Sequence, residues 1–513
     1  MGSGFHGNDE GGATNSMVTG IDINELMVRS GVQFGTSGVR GLVIDMTDDV
    51  CFSYVTAFLQ YLTEKQLILP NGQVGIAGDL RNSTPRIMNA AAAACIVMGF
   101  EPINYSYIPS PAVALYGLEK QMPTIMVTGS HIPDDRNGIK FNTPLGEILK
   151  SDEEGIRTQL VDINDELFTV EGSLLKENYL PTASLEAEHH YLQRFINFLP
   201  INCLAGKRIG LYEHSSVSRD CFKIILEQLG ADVTSLGRSD KFISVDTEAI
   251  RPEDVLLAKQ WSGVHHFDCI ISTDGDGDRP LISDEKGNWL RGDIAGFLCA
   301  QYLQADIVIT PVSSNSAVEK SQLFDQVIRT KIGSPYVIEA MQHAQQNDDT
   351  QTTVGYEANG GFLQQTEISQ NDKILSPLPT RDAVIVPIAI LLLAQKQQLT
   401  ISELLTTLPQ RYTYSDRLKD FSIEKSQRLI AGLIASDIKT NLANINAMFP
   451  EFTIPVDIDI TDGVRITFDN DEVVHLRPSG NAPELRCYTE SSSASNAASL
   501  CQVVMAVLTG LNN

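Results

Sequence analysis

Apolar and polar positions change their spacing along this chain, and the changes mark its elements. Three stretches carry a strand-like apolar run, a short polar break and then a helical pattern. These are Val74 to Asp79 leading into Pro85 to Met98, Arg208 to Tyr212 into Cys221 to Leu229, and Asp306 to Thr310 into Ala317 to Phe324. Each predicts a β-α unit feeding a largely parallel sheet, although identity among the three is too low to define a repeat. Shorter runs, Thr124 to Val127, Phe267 to Ile271 and Pro280 to Ile282, read as strands. Toward the end the pattern alternates: Gly463 to Phe468 and Val473 to Leu476 predict further strands. The longest apolar run, Ala383 to Ala394, is too short to span a bilayer and predicts a buried helix.

At 513 residues the chain is long enough for three to four domains. Residues 1–16, rich in Gly, Asn and acidic side chains, are expected to be disordered or vector-derived, with Met17 a natural start. The expected division is then 17–181, 182–289, 290–410 and 411–513. Tyr179 to Ser184 reads as a linker, Asp284 to Asn288 as a closing turn, and Arg411-Tyr412-Thr413 as the opening of the last unit.

A formal charge of −26 argues against nonspecific nucleic-acid binding. The eight cysteines are scattered without a Cys-x-x-Cys pair, which argues against disulfides and structural zinc. The N-terminus lacks the basic and apolar regions of a secretory signal, so a cytoplasmic protein with no membrane partner is expected.

Candidate chemistry is densest at Thr273-Asp274-Gly275-Asp276-Gly277-Asp278-Arg279. Carboxylates this close repel one another unless a cation sits among them, and hard oxygen ligands suit Mg²⁺ or Ca²⁺ rather than zinc. An EF-hand is excluded, because Arg279 stands where that loop needs Gly and the flanks read as strands. Thr128-Gly129-Ser130-His131-Ile132-Pro133 places Ser130 in a loop leaving a strand. A phosphorylated Ser130 would bring acceptor oxygens that a metal held by three Asp could bind. Phe34-Gly35-Thr36-Ser37-Gly38-Val39-Arg40-Gly41 has the ingredients of a backbone nest for an anion. Near the other end, Arg477-Pro478-Ser479-Gly480-Asn481-Ala482-Pro483 and Arg486 offer guanidinium forks matched to phosphate.

These motifs, in this order, resemble those of the α-D-phosphohexomutase superfamily from about Val32 to Glu490. The family's FGTSG-R-G opening matches 34–41, its serine loop T-A-S-H-N-P with a following N-G-x-K matches Thr128 to Lys140, and its DGDGDR loop matches Asp274 to Arg279. Gly129 and Ile132 depart from the serine loop, and Ala482 departs from R-x-S-G-[TN]-E-P. The G-E-x-S-G sugar loop is approached by Gly355-Tyr356-Glu357-Ala358-Asn359-Gly360-Gly361.

The resemblance implies three related mixed-sheet α/β domains and a C-terminal α+β domain around a central cleft. It implies that Ser130 carries a phosphoryl group and that Asp274, Asp276 and Asp278 hold Mg²⁺ with an oxygen of that group. It places Arg40, His131, Lys140 and Arg279 around the reacting phosphate, with Lys140 as a candidate base. Thr36 and Ser37 belong to the anion nest, and Glu357, Asn359 and Lys331 are implied to meet the sugar. Arg477, Ser479, Gly480, Asn481 and Arg486 are implied to take the distal phosphate. The implied reaction interconverts hexose 6-phosphate and hexose 1-phosphate through a hexose 1,6-bisphosphate. Mannose is the first choice of sugar, on the E-A-N-G-G form of the loop. Glucose, a dual activity, and a catalytically silent sugar-phosphate-binding relative stay open, as does the oligomeric state. An acidic body acting on phosphosugars requires its basic residues to gather in the cleft.

Overall fold

One four-strand pattern recurs in three successive sheets. In the first, Gln73–Gly78 pairs parallel with Glu101–Tyr107 and Thr124–Val127, and Thr124–Val127 pairs antiparallel with Arg136–Thr143. In the second, Arg208–Tyr212 lies parallel to Asp232–Leu236 and Cys269–Thr273, the latter antiparallel to Pro280–Ile282. In the third, Ile307–Pro311 lies parallel to Gln326–Thr330 and Thr353–Tyr356, and Thr353–Tyr356 is antiparallel to Phe362–Gln364. The third strand of each set is buried along its whole length, as its unbroken apolar reading requires of a strand covered on both faces. The turn after that strand carries a candidate motif every time: the serine loop, the acidic loop and the sugar loop.

The structure is a computed structural model that describes residues 20–163, 165–434, 437–479 and 483–512. Residues 1–16, Gly480, Asn481 and Ala482 lie outside the described residues. The first sheet is extended by Gln33–Phe34 and Gly38–Leu42, which bring the anion nest beside Arg136–Thr143. A fourth sheet, wholly antiparallel, runs in the order Tyr412–Lys419, Glu484–Ser491, Val473–Pro478, Val464–Phe468, Pro455–Asp459.

Helices Thr84–Val97 and Arg219–Gln228 follow the first strands of their units as the pattern predicts. The third expected helix, Ala317 to Phe324, is a single turn, Ala317–Lys320, because the backbone swings to a left-handed conformation at Gln322 (φ 55°). That unit's longer helices are Gly292–Leu303, Ser334–Asn347 and Ile385–Gln397, and the last is buried without interruption from Ile385 to Ala394. Among the described residues no helix is long and apolar enough to cross a membrane.

One apolar cluster runs through the first three units, joining Val113, Phe195, Phe297 and Val384. The fourth sheet has a separate core around Phe449, Val474, Leu485 and Val504. Polar contacts tether it to the third unit: Ser316 N donates to Glu490 Oε2 (3.0 Å) and Ile332 N to Asp462 Oδ2 (3.1 Å), with Glu490 Oε1 held from within its own unit by Arg411 Nε (2.6 Å).

Candidate active site

Ser130 sits at the tip of the first recurring turn with its backbone in the left-handed region (φ 52°), a costly conformation for a residue with a Cβ. The surroundings hold it there. Arg81, fully buried, donates Nη2 to Ser130 O (2.9 Å) and Ile132 O (2.7 Å), and Nη1 to Pro133 O (2.8 Å) and Arg136 O (3.0 Å). Asp79 anchors Arg81 Nε at 3.1 Å and accepts from Thr128 Oγ1 at 2.7 Å, while Thr128 Oγ1 accepts from Ser130 N. A Cβ on Gly129 would lie 2.7 Å from the Arg81 guanidinium carbon, so this loop needs Gly where relatives of its motif carry Ala. Sequence reading missed Arg81. Its only signal is the Asp-x-Arg spacing after the first strand.

The acidic loop meets Ser130 from the second unit. Ser130 Oγ donates to Asp274 Oδ2 at 2.5 Å. Lys140 Nζ lies 2.5 Å from Asp276 Oδ2 and 2.6 Å from Asp278 Oδ2, and Ser110 Oγ, also missed from sequence, donates to Asp276 Oδ2 at 2.6 Å. Burial acts to lower the Lys140 pKa, but Asp276 and Asp278 outweigh it and hold the ammonium above its usual range. Burial and its two acidic neighbours push Asp274 well above the usual carboxyl range. Burial works the same way on Asp276, yet Lys140 outweighs it and keeps that carboxyl low.

The donor set fits a hard divalent cation. Oxygens of Asp274, Asp276 and Asp278 come within 4.8 Å of one another, and all three side chains are buried. Asp276 Oδ1 and Asp278 Oδ1 are buried with no hydrogen-bond partner among the described residues. Anionic oxygens left over in this way suit Mg²⁺ coordination.

Arg279 Nη1 donates to His131 Nδ1 at 2.7 Å. A guanidinium cannot accept, so the proton of a neutral His131 is on Nε2, facing Asp246 Oδ2 at 3.9 Å. Burial, then the Arg279 charge, push His131 down to about 4 against the pull of Asp246. Its Nδ1 is 3.4 Å from Ser130 Oγ.

A cleft of about 580 Å³ opens beside this cluster. Its walls bring together Thr36, Arg40, His131, Arg279, Glu357, Asn359, Arg477, Ser479 and Arg486, so both ends of the chain reach one space. Ser130, Ser37 and Lys140 line a narrower adjoining recess. Six Arg and Lys side chains face four Asp and Glu in the cleft walls, a local excess of positive charge inside an acidic protein. Ser37 turns its hydroxyl to buried Glu147 (2.7 Å). Arg477 Nε donates to Asp462 Oδ2 (2.8 Å). Lys331 is not among the lining residues; its ammonium lies 5.8 Å from the ring centre of Tyr336, which is. A larger hollow of about 730 Å³, lined by Gln66, Lys120 and Leu145, holds none of these side chains.

Residues 31–166 match the phosphoglucomutase/phosphomannomutase alpha/beta/alpha domain I, residues 291–412 domain III, and residues 431–507 the C-terminal domain of the same family. A phosphomannomutase of Salmonella muenchen is 44% identical over 490 residues, covering 95% of this chain and 97% of the relative. A phosphomannomutase of Sinorhizobium fredii is 39% identical over 478 residues, covering 93% and 99%. The crystal structure of a phosphoglucomutase/phosphomannomutase family protein from Burkholderia thailandensis shares the fold with a TM-score of 0.70 at 18% identity, covering 93% and 96%. The chain belongs to this family, the α-D-phosphohexomutases. It is an enzyme of the mutase type, a phosphotransferase of carbohydrate metabolism.

Proposed function

We propose that this mutase interconverts mannose 6-phosphate and mannose 1-phosphate, with Ser130 as the phosphoryl carrier and mannose 1,6-bisphosphate as the species that turns over in the cleft. The observation that carries the reading is the meeting of Ser130 Oγ with Asp274 Oδ2 at 2.5 Å, on the edge of a cleft whose other walls hold Arg477, Ser479 and Arg486. The likeness to two phosphomannomutases supports mannose as the sugar.

The distal phosphate pairs with Arg477 and Arg486, whose forks suit two oxygens at once. Gly480 and Asn481 join this loop by the sequence reading. Glu357 and Asn359 read the sugar hydroxyls, and Thr36 with Arg40 faces the phosphate nearest Ser130. Asp274, Asp276 and Asp278 would hold Mg²⁺, together with an oxygen of the phosphate on Ser130; the ion supplies charge neutralisation on the phosphoryl oxygens when bound. Lys140, Arg279 and Arg40 add fixed positive charge around the same group, and such preorganised charge is the main source of rate in phosphoryl transfer. Lys140, bonded to two carboxylates, serves as a cation rather than as a base. The acceptor in reach for the proton leaving Ser130 when its oxygen takes phosphate is Asp274 Oδ2 at 2.5 Å, because His131 Nδ1, 3.4 Å away, already accepts from Arg279.

The test is a side-by-side rate comparison of mannose, glucose and glucosamine 1-phosphates with Mg²⁺, together with peptide mapping for phosphate on Ser130. Phosphate on Ser130 and the highest kcat/KM for mannose 1-phosphate are expected. A protein that never accepts phosphate from a hexose 1,6-bisphosphate would sink the reading.

A further inference from the structure

Arg381 lies next to the end of the strand Leu378–Asp382, which pairs antiparallel with Phe362–Gln364 in the register Phe362↔Asp382. That pairing delivers its side chain to the sugar loop 357–361. The side chain is 4% exposed and spans two loops from different units. Its Nε is 3.1 Å from Asp278 Oδ2 and its Nη1 3.4 Å from Glu357 Oε2. The sugar loop is shaped around it: a Cβ on Gly361 would stand 2.5 Å from Arg381 Cδ and 2.6 Å from Cγ, while Gly361 O accepts from Glu357 N (3.1 Å). The neighbouring Thr380 hydroxyl is bonded to Glu147, which also accepts from Ser37 and Ser334, so the strand end is tied to the first unit.

We propose that Arg381 is a positioning residue for sugar recognition: anchored on Asp278, it holds the Glu357 carboxylate in the orientation that reads the hexose hydroxyls. This rests on the reading of Glu357 as a sugar contact. A glutamate that must accept from a hydroxyl needs its rotors fixed before substrate arrives, because freezing them on binding costs affinity. Two ion pairs from one rigid guanidinium fix both the carboxylate and its distance from the acidic loop. A lysine, with one point charge, cannot reach both partners in the same way.

The experiment compares kcat/KM for mannose 1-phosphate and its mono-deoxy analogues in the wild type, Glu357→Gln, Arg381→Lys and the double variant, with thermal melting as a check of folding. A site built to bond a hydroxyl rejects the analogue that lacks it. On whichever analogue Glu357→Gln relaxes rejection, Arg381→Lys is expected to relax it by at least about 10-fold, and the double variant to add little, as for two residues acting as a unit. Gly361→Ala, which crowds Arg381 and keeps its charge, should shift the same ratio and serves if Arg381→Lys melts early. Equal losses by Arg381→Lys and Gly361→Ala on parent and deoxy sugars would mark Arg381 as a general cation and overturn the inference alone. If Glu357→Gln shifts no ratio, the sugar-contact reading falls and the inference falls with it.

Discussion

Ser130 Oγ and Asp274 Oδ2 are hydrogen-bonded at 2.5 Å although they stand 144 positions apart in the chain. The bond crosses from one recurring α/β unit to the next, so the candidate nucleophile and the acidic loop exist as a pair only in the assembled protein. Replacing Ser130 with Ala should lower turnover by at least about 10⁴-fold, the scale of losing a covalent nucleophile. The melting curve should change little, and no phosphate should be retained on the serine-loop peptide after incubation with a hexose 1,6-bisphosphate. Robust residual turnover would remove Ser130 from its assigned role.

The acidic loop predicts a metal-dependent stability. Mg²⁺ added to chelator-treated protein should raise the unfolding free energy, by about 2.7 kcal/mol when the free ion is a hundred times its Kd. Asp276→Asn should shrink that increment, since it removes one of the three ligands and a partner of Lys140. An unchanged Mg²⁺ response in the variant would place the ion elsewhere.

Gly129→Ala is expected to act through Arg81. The added methyl would meet the guanidinium at 2.7 Å, where four carbonyl contacts to the serine loop leave it no room to retreat. A displacement of order 1 Å in the serine should cost roughly 10²-fold in kcat, with a smaller effect on KM. Equal effects on both constants would point to substrate binding instead.

Acid should destabilise the fold through two buried histidines that do not line the cleft. His214 donates Nε2–H to Thr273 O (2.9 Å) and His475 to Asp462 O (2.6 Å), while Nδ1 of each is buried without a hydrogen-bond partner among the described residues. Burial pushes both down to about 4, against about 6.5 in an unfolded chain. Between those values the unfolded state binds the extra proton, so stability falls as pH drops from 6.5 toward 4, by about 2 kcal/mol per histidine at pH 5. Urea melts at pH 7, 6 and 5 should show the decline, and His214→Gln should make it shallower. A slope unaffected by that substitution would assign it to other groups.

Much of this architecture was legible beforehand because its parts are local. The apolar run Phe267 to Ile271, the acidic turn and Pro280 to Ile282 could be read as strand, loop and strand because a buried strand needs an unbroken apolar stretch. Fold class and family followed from motif order and are borne out by the sheet topology and the relatives. The residues that went unseen act at a distance. Arg81 looks like any surface arginine until the chain folds it beneath the serine loop, and Arg381 lies outside every motif yet reaches two of them. Lys331 shows the converse, since its place in the sequence beside a predicted pocket said nothing of which way a long flexible side chain would turn. The single-turn helix at Ala317 was overestimated because periodicity cannot register a left-handed backbone at Gln322.

The triple recurrence of one strand–turn–strand unit also bears on how such an enzyme changes over time. The turns proposed for phosphoryl carrying, cation holding and sugar reading each belong to a different copy, so under that proposal drift in the third turn can alter which hexose is accepted while the first two stay as they are. Arg381 limits that freedom: any remodelling of the third turn that dislodges it disturbs the second as well, and the two would have to evolve together.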